Sequence, residues 1–231
     1  MAELVARAPN LWTVDRGQRF GGLEVGTRMT VVRLADGGLW LCSAVPLDDA
    51  LAAELDALGP VRWIVLPNLF HHLYARVAAA RYPAARVAAP AAITAKKQPE
   101  LRVDLPLSAS PPESWGGAIA PIPLDGLPKL QETAFFHRPS RTLVLTDVLF
   151  NLARPEGVWA RVVLGALDAA GGPRVDRYIR WLTKDRAAFR ASLERALAFE
   201  PERVIMAHGA VIERGGAAAL REAAAWVLRG R

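Results

Sequence analysis

The sequence predicts a mixed α/β fold, with β-sheets that carry helices on their faces. Three observations support this. Asp36-Gly37-Gly38 separates two apolar segments, a strong hairpin signal. From residue 48 to residue 89, strand-like apolar runs alternate with helical ones, the order that builds parallel pairing. A second apolar pair, 132–137 and 142–147, flanks Arg138-Pro139-Ser140-Arg141 and predicts another hairpin.

Each element follows from local pattern. Leu11-Trp12-Thr13-Val14 is a short apolar segment, and 29–34 with 39–45 are the strands of the first hairpin. Asp48-Asp49 caps a helix running to about residue 58, with Leu51, Leu55 and Leu58 on one face and Gly59-Pro60 ending it. Residues 61–66 form a buried strand stopped by Pro67-Asn68, a helix follows over 71–81, and a short strand over 86–89. Residues 90–129 are Pro-rich and irregular, with strands expected near Val103 and over 118–123. Residues 152–199 read as a helical insertion, ending in a helix over 185–199. A last strand over 202–207 leads into His208-Gly209, and a helix spans 217–228. No repeat or linker divides the chain, so one domain over 1–231 is expected.

Composition narrows the class. With 231 residues, 52% of them hydrophobic, the chain can bury a substantial core. Its single cysteine, Cys42, excludes an internal disulfide framework and any Cys-rich zinc module. Cys42 lies within a strand and reads as a small buried hydrophobe. No apolar run reaches the ~20 residues of a membrane helix, and the first residues lack a signal-peptide core, so a cytoplasmic location with no membrane partner is expected. The net charge is +6, yet 25 of the 29 basic residues are Arg scattered among Ala, with no basic run longer than two. A nucleic-acid partner is therefore not expected.

Ligands of open α/β folds gather beyond strand ends, so residues there are the better site candidates. Of the four histidines, His71 and His72 follow one predicted strand and His208 ends another, while Asp147 ends the second hairpin. His137, beside Arg138 in the hairpin turn, reads as a surface or hairpin residue.

Together these segments carry a resemblance. An Asp-Gly-Gly hairpin, a βα unit with a His pair, a hairpin ending Thr146-Asp147-Val148-Leu149-Phe150 and a strand ending Ala207-His208-Gly209 resemble the metallo-β-lactamase superfamily over roughly residues 10–228. The chain is similar to a bacterial branch of that superfamily built on a domain of unknown function. The resemblance implies a four-layer αββα sandwich with a metal site at the sheet edge. The segment around Asp147 resembles the one supplying the family's metal-bridging Asp, and that around His208 the one supplying its last His ligand. The main motif, His-x-His-x-Asp-His, is degenerate here and reads Pro67-Asn68-Leu69-Phe70-His71-His72. Counting back from Val87 lays His72 on the motif's last His and His71 on its Asp; counting from Leu66 lays Asn68 on the first His and His72 on the Asp. The family's middle His is missing, and Glu132 is the nearest residue able to ligate.

What the resemblance implies is a reduced metal set drawn from His71, His72, Glu132, Asp147 and His208. Such a set suits one divalent ion, Zn²⁺ or Fe²⁺, rather than two. His72 and His208 would anchor it, while Asp147 and His71 would serve the chemistry. The expected function is a metal-dependent hydrolase acting on an ester, lactone, thioester or phosphodiester of a small-molecule substrate. The alternative is a catalytically silent member of the fold, without a cofactor, that binds a small molecule or protein partner. Each residue also has a structural role open to it, His71 and His72 at a helix start, Asp147 as a turn cap and His208 in a tight turn. The insertion is expected to form a lid, a homo-oligomer surface or a solvated helical face; where it lines the pocket, Arg154, Arg161, Arg174, Arg177 and Arg180 would suit an anionic substrate.

Overall fold

The structure, a computed structural model, describes residues 4–152 and 158–229. The chain opens with β1 (Val5–Ala8) and β2 (Leu11–Arg16), then a small hairpin of β3 (Arg19–Phe20) and β4 (Leu23–Glu24), then β5 (Thr27–Arg33) and β6 (Leu39–Cys42). Alternation follows with α1 (Asp49–Leu58), β7 (Val61–Val65), α2 (Ala75–Arg81), β8 (Arg86–Ala89), α3 (Ile93–Lys96) and β9 (Leu105–Pro106). Seven of these strands form one sheet in the order β1-β2-β5-β6-β7-β8-β9. It is antiparallel through the first hairpin and parallel from β6 to β9, as the switch from hairpin to βα units requires.

A second sheet is built from β10 (Ile119–Pro123), β11 (Thr133–His137) and β12 (Thr142–Val144). After β13 (Phe150–Asn151) come α4 (Val158–Ala166), α5 (Arg177–Leu182) and α6 (Arg186–Leu197). Strand β14 (Arg203–Ile205) then joins the second sheet in parallel beside β12. β15 (His208–Gly209) pairs with β13, and α7 (Gly216–Ala223) and α8 (Ala225–Leu228) close the chain.

Period-2 alternation sorts the side chains into layers. On β6, Leu39 and Leu41 face α1 and α2, packing with Leu51, Leu55 and Ala78, whereas Trp40 and Cys42 face the second sheet. On β11, Phe135 points back at Trp40, while Ala134 and Phe136 point to the opposite face, where Phe189 and Leu193 of α6 cover them. Trp115 sits between the sheets with its ring edge-on to Trp40 and Trp63, both at 5.8 Å between centroids. Helices, sheet, sheet and helices thus stack in four layers, the αββα arrangement expected.

Three local expectations are corrected and one open reading is decided. The 152–199 segment is not continuously helical: Gly171 and Gly172 take positive φ, and residues 170 and 174 bridge back to Leu152 and Phe150 between α4 and α5. Helix α2 starts at Ala75 rather than 71, because 71–74 are held in turns. The strand expected near Val103 is β9, two residues later. Of the two readings of His137, the structure takes the hairpin one: it is 2% exposed at the end of β11, with its Nδ1 2.7 Å from Ser140 Oγ.

Candidate metal centre

Three strand ends converge at one edge of the sandwich. His71 lies in the turn after β7, Asp147 follows β12, and His208 opens β15. Their inward atoms make a nearly equilateral triangle. His71 Nε2 is 3.3 Å from His208 Nε2 and 3.4 Å from Asp147 Oδ1, and His208 Nε2 is 3.3 Å from the same oxygen. The triangle is sunk into the molecule, with the side chains of His71 and Asp147 9% exposed.

The hydrogen bond at the far side of the ring decides what His208 turns inward and leaves two states open to His71. His208 Nδ1 is 2.8 Å from the Gly26 carbonyl, which can only accept, so Nδ1 carries the hydrogen and neutral His208 turns a lone pair inward. Phe150 stacks on the same imidazole at 5.0 Å and 8°. His71 Nδ1 is 2.7 Å from Ser43 Oγ. If the ring donates to Ser43, three acceptors face one another and a cation must lie among them. If Ser43 donates, a proton on His71 Nε2 takes that place. The geometry also matches a metal: donors at about 2.0–2.1 Å from a tetrahedral ion stand about 3.3–3.4 Å apart. Three such donors leave a fourth vertex open.

The electrostatics couple Asp147 to the two histidines. Burial would raise the Asp147 pKa, but His71 and His208 reverse this and hold the carboxyl well below the usual range. Burial likewise works to lower His71, yet the charge and hydrogen bond of Asp147, with Glu132 behind it, lift it above the ordinary histidine value.

Supports for the triangle come from residues that the sequence reading did not single out as site candidates. Ser43 stands at the end of β6 with φ of 59°, a left-handed conformation costly for a side-chain-bearing residue. Asn68, at 0% exposure, is the hub. Its Nδ2 lies 2.7 Å from Asp147 Oδ2, 3.0 Å from Glu132 Oε2 and 2.9 Å from Thr146 Oγ1, while its Oδ1 accepts from the Phe70 and His71 amides. Arg28 donates to the carbonyls of Met206 and Gly209 on either side of His208 and pairs with Asp15 at 2.7 Å. Gly209 has φ of 89°, and a Cβ there would fall 2.1 Å from the Asn151 carbonyl, so only glycine allows the turn that aims His208. Asn68 follows the apolar strand expected over 61–66, so the strand-end criterion could have found it, whereas Ser43 lies inside the strand expected over 39–45.

Of the five expected ligands, the structure brings His71, Asp147 and His208 together. It does not bring His72 or Glu132 to that group. His72 turns outward, with Nδ1 2.9 Å from Gln98 Nε2, and burial, Lys97 and His71 push its pKa down. Glu132, 1% exposed, lies behind Asp147 and accepts from the Thr146 and Asp147 amides, fixing the loop that presents the Asp147 carboxylate. Cys42 is buried next to this network, and burial followed by the Glu132 charge raises its thiol pKa well above normal, as suits a packing residue. Arg154 lies outside the described residues.

Comparison with known proteins fits this geometry. A family model described as "Domain of unknown function (DUF4336)" matches residues 9–110. No curated protein matches the sequence. Among solved structures, a metallo-β-lactamase from Pontibacter korlensis is 14% identical with a TM-score of 0.67, each chain covered over 100%. One from Hirschia baltica is 14% identical with a TM-score of 0.65, covering 98% of this chain and 97% of its own. The FIM-1 enzyme of Pseudomonas aeruginosa in its mono-zinc form is 15% identical with a TM-score of 0.62, covering 99% of this chain and 93% of its own. The chain has the metallo-β-lactamase fold. Among the described residues, no helix is long and apolar enough to cross a membrane.

Proposed function

We propose that the protein is a metal-dependent hydrolase with a single-ion site held by His71, Asp147 and His208, acting on an ester, lactone, thioester or phosphodiester. The observation that carries this reading is the inward triangle with edges of 3.3–3.4 Å, matched to one tetrahedral ion with a free position. When bound, a divalent ion such as Zn²⁺ or Fe²⁺ supplies Lewis acidity that brings the ionisation of water to near ~7.

The chain's own residues perform the remaining work. The Gly26 carbonyl keeps His208 in the tautomer that points Nε2 inward, and Ser43 can do the same for His71 by accepting its Nδ1 hydrogen. Asn68 holds Asp147 Oδ2, which leaves Oδ1 for the centre and for orienting a water. The Phe150 ring closes the flank of His208 against solvent. Two histidines and one carboxylate add a single negative charge, so a divalent site keeps a net positive charge suited to an anionic or polarised substrate.

A second reading has its own support. The same three side chains satisfy one another as an imidazolium–carboxylate cluster, which would serve a silent binding protein. Metal content of untagged protein by mass spectrometry separates the two. The hydrolase reading expects about one Zn or Fe per chain, lost from a His71→Ala, His208→Ala variant. Absence of metal from the parent, even after refilling with Zn²⁺ or Fe²⁺, would sink it.

A further inference from the structure

Lysine is scarce in this chain, four against 25 arginines, and all four lysines gather at one place. Lys96 and Lys97 at the end of α3, with Lys129 from the turn before β11, line a groove of about 360 Å³ whose walls include Leu69, Phe70, Tyr178 and Trp181. Lys184, just beyond α5, and Lys129 place their ammonium groups 4.9 and 5.1 Å from the Trp181 ring centroid, and Lys97 lies 5.9 Å from that of Phe70. No carboxylate lines the groove, and among the described residues none of the four lysines is in a salt bridge.

The arginines of the same region are committed elsewhere. Arg174 and Arg180 share Asp168, and Arg177 donates to the Ala166 carbonyl. The lysines are therefore the cations left for an outside anion. Resting an ammonium on an exposed ring stabilises only weakly, so it exchanges readily for a phosphate oxygen. Lysine binds phosphate as a mobile point charge with three donors. Beside the lysines, Tyr178 and Trp181 are 44% and 59% exposed with rings 6.0 Å apart, a largely open aromatic wall. Groove size falls in the range of small-molecule sites rather than that of an extended strand or a flat membrane contact.

We propose that this groove binds a small phosphate monoester with a planar body, of the nucleoside monophosphate class, its phosphate held by Lys97, Lys129 and Lys184 and its ring system resting on Tyr178 and Trp181. The groove is built on residues 69 and 70, next to His71, but its lining omits the three metal-facing side chains, so binding does not depend on the hydrolase reading.

The test titrates full-length protein with AMP, adenosine and inorganic phosphate, following tryptophan fluorescence and heat, after chelation with EDTA. Saturable AMP binding is expected, at least tenfold tighter than either fragment and weakened severalfold between 50 and 300 mM salt, on the order expected for exposed charges. A Lys97→Ala, Lys129→Ala variant should weaken it at least tenfold. Trp181→Ala should weaken AMP more than phosphate, a split that a purely structural role would not produce. The proposal is overturned if AMP does not saturate by 5 mM, if adenosine or phosphate binds as tightly as AMP, or if the lysine variant binds unchanged. It is also overturned if EDTA abolishes binding, which would move the ligand to the metal centre, or if only an oligonucleotide binds, which would make the groove a nucleic-acid surface.

Discussion

Two charged regions meet at residues 69–71, and they treat charge in opposite ways. Behind His71, each polar group is buried and answered from within: Asp147 by two histidines and Asn68, Glu132 by two amides, Arg28 by two carbonyls and Asp15. In front of Phe70, four exposed ammonium groups have no carboxylate partner among the described residues, and three of them, those of Lys97, Lys129 and Lys184, rest on aromatic rings. A buried polar network stabilises only when complete, so its members are expected to be costly to remove. Exposed cations contribute little to the fold, so their reason for gathering lies outside it. The contrast can be tested by removing members of each region and comparing the loss.

The largest effect is expected from Asn68→Ala. Deleting this side chain takes the shared donor from Glu132 Oε2 and Asp147 Oδ2 and the acceptor from two loop amides. Two carboxylates are then left facing a dry cavity, and a loss of about 3 kcal/mol is expected in urea unfolding at neutral pH. Asn68→Asp should not rescue, since it restores the acceptor but places a third carboxylate where a donor is needed. A loss below about 1 kcal/mol would mean that water replaces the amide, and the network would not be the closed one described.

This residue also marks where sequence reading stops. The layers were legible because period-2 alternation in β6 and β11 says which side chains face helices and which face the other sheet, whatever the tertiary details. His71, Asp147 and His208 were legible because each lies at or just beyond the end of an apolar strand. Asn68 had the same position, but after Pro67 it reads as a turn former, and its role depends on Glu132, Thr146 and Asp147, 64 to 79 residues away. Ser43 carries no signal that it would adopt positive φ. The choice between His71 and His72 turned on a single residue of loop length, which hydrophobic pattern does not encode. The lysine cluster was hidden for a related reason: positions 96, 97, 129 and 184 are brought together only by the packing of three separate segments.

A buried histidine outside the network sharpens the comparison. His71 is lifted by Asp147, whereas His137 has no carboxylate beside it, and burial pushes its pKa down to about 4. Between pH 6.5 and 4 the unfolded chain binds this proton and the folded chain resists it, so stability is full above pH 6.5 and falls towards pH 4. At pH 4.5 the loss amounts to about 2 kcal/mol. Unfolding of the parent and of His137→Leu at pH 7 and pH 4.5 isolates this group from the carboxylates. The gap between the two proteins should shift by that amount in favour of the leucine variant at the lower pH. No shift would show that the ring is protonated in place and that burial alone does not keep it neutral.

The smallest effect is expected in the groove, and its smallness is informative. Lys129 and Lys184 are exposed, and each touches the fold chiefly through the Trp181 ring, with Lys184 adding a 3.2 Å bond to the Trp181 carbonyl. A Lys129→Ala, Lys184→Ala variant should therefore unfold in urea within about 1 kcal/mol of the parent. It should lose the salt-sensitive binding of AMP at the same time. A loss above about 2 kcal/mol would make the ammonium groups part of the packing that holds α5, and their gathering would need no ligand to explain it. Unchanged stability with lost binding would leave them no structural purpose, which is the sense in which the two regions differ: one keeps its charges to hold a centre in place, the other to receive charge from outside.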